Sequence, residues 1–173
     1  VVLRDAALAD FMASGVIQFL GSAAARFTRA SSWETGKSVF NREPTGDPLN
    51  VWANRAAAYG VSANRFDGEG IPAQRLPLIQ DNALVNWSAS QRYADYLGAP
   101  ATGEFGVIEV APGSRAAAEL LAAPHVEVAA FSWFNADEVT GDFACEIRLG
   151  YVVEGGERRP FKGGQLIGNV MDA

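Results

Sequence analysis

The chain has little of what thiol or metal chemistry needs: it contains one cysteine and one histidine among 173 residues. A single cysteine cannot form an internal disulfide, and one histidine with one cysteine cannot complete a four-ligand zinc site. A metal centre here would have to use carboxylates or a second chain. Composition thus excludes a closed zinc site within this chain by itself.

Basic residues and long apolar runs are also scarce. Acidic residues outnumber basic ones by 20 to 14, and Arg158-Arg159 is the only adjacent basic pair. Because phosphate binding needs clustered Lys and Arg, we predict no nucleic-acid partner. No apolar run approaches the roughly 20 residues of a membrane span, so we expect no membrane partner and a cytoplasmic location. The chain begins at Val1 without an initiator Met, and we expect it to be a piece of a longer protein.

The remaining composition is that of a globular domain, with 49% hydrophobic and 20% charged residues. We expect a single domain over residues 1–173. Apolar periodicity predicts helices, with Asp5 as the first N-cap, and strands, with a hairpin turn at Asp81-Asn82 and a second turn at Gly155-Gly156. The predicted helices cover residues 5–29, 90–97 and 114–122, and Gly15 and Gly21 could divide the first helix. A loop is predicted over residues 30–48 and the hairpin over residues 74–87. Further strands are predicted over residues 105–111, 126–134, 143–153, 158–162 and 165–170.

Strands dominate this pattern and their connections are mostly short. We therefore predict an α+β fold with a mostly antiparallel sheet, curved into a sandwich or an open barrel, and about three flanking helices.

Two short segments carry carboxylates that could do chemistry. Asp67 and Glu69 lie in Phe66-Asp-Gly-Glu-Gly70, where they could bind a hard cation or position a general base, although alternating Gly and Asp also make tight turns. Asp142 lies in Thr140-Gly-Asp-Phe143 before the most regular strand, where it could meet a substrate or bond its own backbone. In both segments the turn interpretation is favoured.

The cysteine and the histidine are predicted to be structural. Cys145 shares strand parity with Phe143 and Ile147, so it should point into the core and be unreactive. His125 follows Pro124 with no carboxylate in an obvious relay position, and we interpret it as a surface or strand-edge histidine.

An ordered series of short motifs runs along the chain. The motifs are a Gly-containing helix near residues 14–25, Phe66-Asp-Gly-Glu-Gly-Ile-Pro72, Leu78-Ile-Gln-Asp-Asn-Ala-Leu84, Arg92-Tyr-Ala-Asp-Tyr-Leu-Gly98, Thr102-Gly103, Pro112-Gly113, Thr140-Gly-Asp-Phe143 and Gly168-Asn169. In this order they resemble the C-terminal domain of the TldD/PmbA family, which is related to metallopeptidases and also named for modulators of DNA gyrase. The resemblance covers nearly all of the chain and implies that an N-terminal domain and a C-terminal tail are missing.

In the peptidase-competent branch of this family, a helix carries His-Glu, three residues and then His, which together hold zinc and activate water. The corresponding segment here, residues 11–19, reads Phe-Met-Ala-Ser-Gly-Val-Ile-Gln-Phe and has neither His nor Glu. The chain thus resembles the PmbA or TldE branch, whose members pair with a TldD-like subunit. The resemblance implies no catalytic residue and no metal or other cofactor in this chain by itself.

The resemblance implies a subunit of a peptidase that cleaves or matures small or unfolded peptides. The expected partners are a TldD-like subunit or a second copy, as a hetero- or homodimer, and a peptide substrate, with zinc only in the TldD-like partner. The family motifs that could line a chamber are Phe66, Asp67, Glu69, Gly70, Thr140, Gly141, Asp142, Phe143, Gly168 and Asn169.

Two alternatives stay open at this point, and whether the chain is itself an enzyme is undecided. It could be a peptide-binding or assembly module without chemistry. It could also be a hydrolase that uses the carboxylates of Asp67 and Glu69.

Overall fold

The computed structural model describes residues 1–172. They fall into two compact units, one built from residues 1–16 and 113–170 and the other from residues 17–112 and 171–172. The strands are β1 (Val2–Leu3), β2 (Val51–Asn54), β3 (Arg75–Gln80), β4 (Ala83–Leu84), β5 (Val107–Val110), β6 (His125–Phe131), β7 (Asp142–Glu154), β8 (Glu157–Phe161) and β9 (Gln165–Asn169). The helices are α1 (Asp5–Met12), α2 (Val16–Leu20), α3 (Ala23–Phe27), α4 (Gln91–Leu97) and α5 (Ala117–Leu120), and a 3-10 turn spans Val170–Asp172.

The first unit is a five-stranded sheet centred on β7. Its order is β1-β6-β7-β8, and β9 pairs with the other end of β7. Only β1 runs parallel to its neighbour, with Val2 opposite Glu127; the other pairs are antiparallel. The Gly155-Gly156 turn that joins β7 to β8 has positive φ at both residues, which glycine adopts without strain.

The buried face of this sheet follows from the alternation along β7. Phe143, Cys145 and Ile147 are buried while their neighbours are exposed, so the prediction that Cys145 faces the core is confirmed. Helix α1 packs on the sheet, and its Phe11 ring lies edge-on to Phe143 with a centroid distance of 6.0 Å.

The second unit contains an open four-stranded antiparallel sheet in the order β4-β3-β2-β5. Its β3–β4 hairpin turns at Asp81 and Asn82, whose φ values are +47° and +67°. A type I′ turn needs positive φ at both central residues, and Asp and Asn tolerate it better than most. The predicted hairpin and its turn are therefore confirmed.

The region predicted as a helix over residues 5–29 is divided into α1, α2 and α3, and the breaks fall at Gly15 and Gly21, the two glycines that were expected as possible points of division. Gly15 has φ +90°, and a Cβ there would lie 2.5 Å from Glu138 Oε1, so the first break needs glycine. The N-cap prediction was also wrong: Arg4 occupies that position, and Asp5 is the first helical residue.

The later elements agree with the prediction in type and differ at their ends. Helix α4 ends at Gly98 in the left-handed conformation, as expected, but α5 is only four residues long and begins after Ala116, not Ser114. The α+β class and the mostly antiparallel sheets are confirmed, and neither sheet of the described chain closes into a barrel. No helix within residues 1–172 is long and apolar enough to cross a membrane.

Candidate functional site

The Asp67 carboxylate is the centre of a tightly bonded loop in the second unit. Asp67 is only 5% exposed, and its Oδ1 accepts hydrogen bonds from the backbone amides of Glu69 and Ile71, each at 2.9 Å. Its Oδ2 accepts a third from the Glu104 amide at 3.3 Å. Burial by itself would raise the pKa of Asp67, but these three bonds and the nearby Arg55 charge lower it below 3.8. An ionised carboxylate held in this way shapes a turn.

Glu69 has a different local task, because it caps a helix. Its Oε2 accepts a hydrogen bond from the backbone amide of Gln91, the first residue of α4, at 2.5 Å. Either Ser88 or Ser90 is a candidate N-cap from the sequence; Ser90 occupies the position but makes no side-chain cap bond. The carboxylate of Glu69 therefore supplies the acceptor that Ser90 does not, at the end of the helix that favours negative charge.

The other members of this motif shape and present the loop. Phe66 pairs with Pro72 across it and is 62% exposed, while Gly70 has φ +84° and open space beside its Cα. The exposed Phe66 ring is the one large apolar group that this motif offers to solvent or to a partner.

Arg55 fixes the same region and was not predicted. This arginine, which follows β2, is buried; its Nη2 donates to the Phe105 carbonyl at 2.8 Å and to Glu104 Oε2 at 3.1 Å. It holds the segment before β5 against β2 at a position where Gly106 approaches the Arg55 backbone closely. No local sequence pattern could have predicted the contacts of Arg55, because both of its partners lie about 50 positions away in the chain.

The second group of predicted residues meets at the β7–β9 end of the first unit. Pairing of the two strands sets Asp142 opposite Asn169 and Phe143 opposite Gly168. Asn169 Nδ2 donates to Asp142 Oδ1 and to the Thr140 carbonyl, both at 2.7 Å. The structure thus brings Thr140, Gly141, Asp142, Phe143, Gly168 and Asn169 together, while Phe66, Asp67, Glu69 and Gly70 belong to the other unit.

Gly168 allows the Phe143 ring to cross the neighbouring strand. A Cβ at Gly168 would lie 3.0 Å from the tip of that ring, closer than most carbon contacts. The glycine therefore makes room for an aromatic side chain that also packs on Phe11 and Phe134. In this group the roles shown by the contacts are structural, and the chamber-lining role stays a prediction.

A third cluster surrounds Glu127 and was missed. Glu127 is 3% exposed; Arg4 Nη1 donates to its Oε1 at 3.0 Å, and Arg158 Nε donates to its Oε2 at 2.8 Å. His125 Nε2 lies 3.4 Å from Oε1, and its Nδ1 lies 2.7 Å from the Ala123 carbonyl. Burial acts to raise the pKa of Glu127, but the bonds from Arg158, Arg4 and His125 outweigh it and bring the pKa to about 2.

His125 was interpreted as a surface or strand-edge histidine with no carboxylate in an obvious relay position; it does begin β6, but the surface interpretation and the missing carboxylate were wrong. Its side chain is 9% exposed and faces Glu127. The sequence did contain a signal, since residues two apart in a strand share a face, and His-x-Glu at the start of β6 places both side chains together.

The residues that would correspond to the family's zinc ligands do not fit that metal. Residues 11–19 run through the break between α1, which ends at Met12, and α2, which begins at Val16, so this segment is not one continuous helix. Neither the types of these side chains nor the broken helix provides two imidazoles one turn apart. Within residues 1–172, no three His, Cys, Asp or Glu side chains are placed to hold a metal ion.

Comparison with known proteins settles the family. Residues 1–173 match the family model of the PmbA/TldA metallopeptidase C-terminal domain. The chain belongs to the TldD/PmbA family. The resemblance carried by the ordered motifs is thereby confirmed. A search of curated proteins gave no match.

Solved structures of longer TldD/PmbA-like proteins share this fold. TldE from Thermococcus kodakarensis superposes with a TM-score of 0.79 at 15% identity over 98% of this chain and 41% of that one. A proposed modulator of DNA gyrase from Thermotoga maritima superposes with a TM-score of 0.80 at 23% identity, over 99% of this chain and 41% of that one. A second proposed modulator of DNA gyrase, from Bacteroides thetaiotaomicron, superposes with a TM-score of 0.73 at 22% identity, over 98% of this chain and 38% of that one. The TldD/PmbA chain described here spans about two-fifths of the length of these proteins.

Proposed function

We propose that this chain acts in a PmbA/TldE-like subunit of a TldD/PmbA-type peptidase that cleaves or matures small or unfolded peptides. In this proposal the subunit holds no zinc, and a TldD-like partner supplies the metal and the water-activating Glu. The carrying observation is that a chain matching the family domain over its whole length has no His or Glu in residues 11–19.

The local structure of that segment supports the proposal. Zinc hydrolases of the His-Glu type need two imidazoles fixed on one helical face and a carboxylate beside the bound water. Here the helix is broken at Gly15, and residues 11–19 include no imidazole and no carboxylate. A subunit built in this way can complete a peptide-binding chamber, while the metal chemistry takes place in its partner.

The test compares the full chain alone with the same chain combined with a TldD-like subunit. We expect zinc, measured by atomic emission, and cleavage of an unfolded test peptide only in the combined sample, with cleavage abolished by a chelator. The TldD-like subunit alone is the matched control. Chelator-sensitive cleavage by the isolated chain would contradict the proposal.

The carboxylate-dependent hydrolase remains a distinct alternative with weaker support. Asp67 already accepts three backbone amides, and Oε2 of Glu69 accepts the Gln91 amide at the start of α4, so both carboxylates have structural contacts. If the isolated chain hydrolysed peptide with these carboxylates, or with Asp142, and a metal or water, the variants Asp67→Asn, Glu69→Gln and Asp142→Asn should show which carboxylate turnover needs. Unchanged turnover in all three variants would discard this alternative.

The alternative of a peptide-binding or assembly module without chemistry differs from the main proposal in what a TldD-like partner should do. It predicts that the chain binds peptide or another subunit and that no combination with a TldD-like protein changes cleavage. A gene beside this one that encodes an intact His-Glu helix would favour the peptidase subunit.

A further inference from the structure

The only Asp-Gly pair in the chain, Asp67-Gly68, lies in the tightly bonded loop of the second unit. No asparagine precedes a glycine, and every other aspartate precedes a residue that has a side chain. A glycine has no side chain to shield its nitrogen, and its flexible backbone lets that nitrogen approach the preceding carboxyl group. This pair is therefore the place where the backbone can most easily attack a side chain of the same chain.

The reaction of such a pair needs no reagent other than water. The Gly68 nitrogen bonds to Cγ of Asp67, and the carboxyl hydroxyl leaves with the amide proton as a water molecule. A second water molecule then opens the cyclic imide at one of its two carbonyl carbons. Opening at the former main-chain carbonyl gives isoaspartate, in which the main chain runs through Cγ and the former main-chain carbonyl is the free carboxylate.

In the folded loop, the attacking nitrogen is unrestrained. Within residues 1–172 the Gly68 N–H donates to no acceptor, whereas the N–H groups of Glu69 and Gly70 both donate to Asp67. Gly68 is exposed, and a Cβ built on it would meet nothing within 4 Å. Neither a hydrogen bond nor packing therefore holds the nitrogen away from the carboxyl group.

Protection depends on the carboxyl group instead. Asp67 is 5% exposed, and its two oxygens accept hydrogen bonds from three backbone amides. Burial acts to raise the pKa of Asp67, but these bonds and the Arg55 charge lower it below 3.8. The carboxyl group is thus fixed and ionised, and an ionised carboxylate has no hydroxyl to lose.

We propose that Asp67-Gly68 is a site of spontaneous covalent modification, at which the chain converts its own backbone to isoaspartate when this loop opens. Opening breaks the three amide bonds and admits water, so the rate of modification follows the population of the open loop. The product cannot rebuild the loop, because the main chain is one methylene longer and the carboxylate stands on a different carbon. The inference does not depend on the proposed peptidase role, and it requires neither a partner nor an open surface.

The test follows the formation of isoaspartate in the full chain over time, in neutral buffer with and without urea. Methylation by an isoaspartyl methyltransferase measures the total amount, and mass spectrometry with electron-transfer fragmentation locates it in the sequence. We expect isoaspartate at Asp67 to form at least about ten-fold faster in urea, because the charge-assisted bonds that opening breaks keep the open loop rare in the folded chain.

Gly68→Ala tests the chemistry without changing the loop. A methyl group fits the open space beside Gly68, and it hinders the neighbouring nitrogen, so modification in urea should slow severalfold. Gly46→Ala is the matched control, because Gly46 also has open space and does not follow an aspartate. It should leave the rate in urea unchanged.

Arg55→Gln tests the protection. Arg55 holds Glu104, whose backbone amide donates to Asp67 Oδ2. Its loss should loosen the loop and raise the rate of modification in the folded chain by about three-fold or more. Arg42→Gln, which removes the ion pair with Asp172 instead, is the control and should leave that rate unchanged.

Four results would overturn the proposal. These are no isoaspartate at Asp67 in urea, equal rates with and without urea, an undiminished rate in Gly68→Ala, and a folded-state rate in Arg55→Gln no higher than in Arg42→Gln. Circular dichroism in buffer shows which variants are folded. If Arg55→Gln does not fold, the comparison of folded with unfolded wild type and the rate in Gly68→Ala decide the question.

Discussion

Asp67 offers the sharpest test of how the family loop is held. Asp67→Asn keeps an oxygen that can accept from Glu69 and Ile71, but it turns an amide group towards the Glu104 N–H and removes the charge near Arg55. The loss of one charge-assisted bond and an unpaired buried amide should cost about 2 to 3 kcal/mol of unfolding free energy. Asp67→Ala leaves all three backbone amides without their acceptor and should cost about 4 kcal/mol.

Urea unfolding followed by circular dichroism measures both variants. Asp81→Asn is the matched control, because Asp81 is exposed in a turn that Asn also tolerates, and it should change the unfolding free energy by less than about 0.5 kcal/mol. If Asp67→Asn unfolded at the same urea concentration as the control, the carboxylate would not be what holds this loop.

The pH dependence gives an independent check on the same residue. The pKa of Asp67 is lowered on folding, so its contribution to stability is complete above its ordinary value of 3.8 and is lost as pH falls through the lower folded value. The stability difference between the wild type and Asp67→Asn should therefore shrink as the solution is acidified below pH 3.8. A difference that stays constant or grows in acid would refute the assignment of an ionised carboxylate.

Three further perturbations follow from the structure. Gly106→Ala places a Cβ 2.5 Å from the Arg55 Cα, so urea unfolding should show a loss of at least about 2 kcal/mol, whereas Gly46→Ala, in open space, should be nearly neutral. Asn82→Ala should be about 1 kcal/mol less stable than Asn82→Gly by the same assay, because only glycine adopts φ +67° without strain. Glu127→Gln should make the melting temperature fall less steeply as the pH is lowered. The wild type loses the stability contributed by Glu127 as the pH falls from 4.5 towards the Glu127 pKa of about 2, and the variant has no such carboxylate.

The parts of the fold that local sequence predicted are those whose causes are local. The β7 strand was evident because its buried and exposed residues alternate over Phe143, Cys145 and Ile147. The β3–β4 turn was evident because Asp81-Asn82 combines two residues that tolerate positive φ. In each case the residues that decide the structure are within a few positions of one another.

The short β1 strand depends on distant residues, whereas the breaks in the first helix fall at Gly15 and Gly21, which the sequence did mark. The β1 strand forms by pairing in parallel with β6. A two-residue strand has no period of its own, so no pattern in residues 1–4 could have indicated it. The same long-range pairing brings Arg4 to Glu127, 123 residues away, which is why that cluster escaped prediction.

For the candidate site residues, the motifs identified the family but not the role of each side chain. The order of the motifs was sufficient to assign the family, yet the contacts of Asp67, Glu69 and Asp142 are with nearby backbone, a helix end and a cross-strand amide. Carboxylates with such partners stabilise the fold and have little capacity left to activate water. Glu127 belongs to no recognised motif, yet it is buried and accepts hydrogen bonds from both Arg4 and Arg158. In this chain, therefore, the recognisable carboxylates have local contacts that hold the fold, whereas the most buried charged cluster consists of residues that only the sheet brings together.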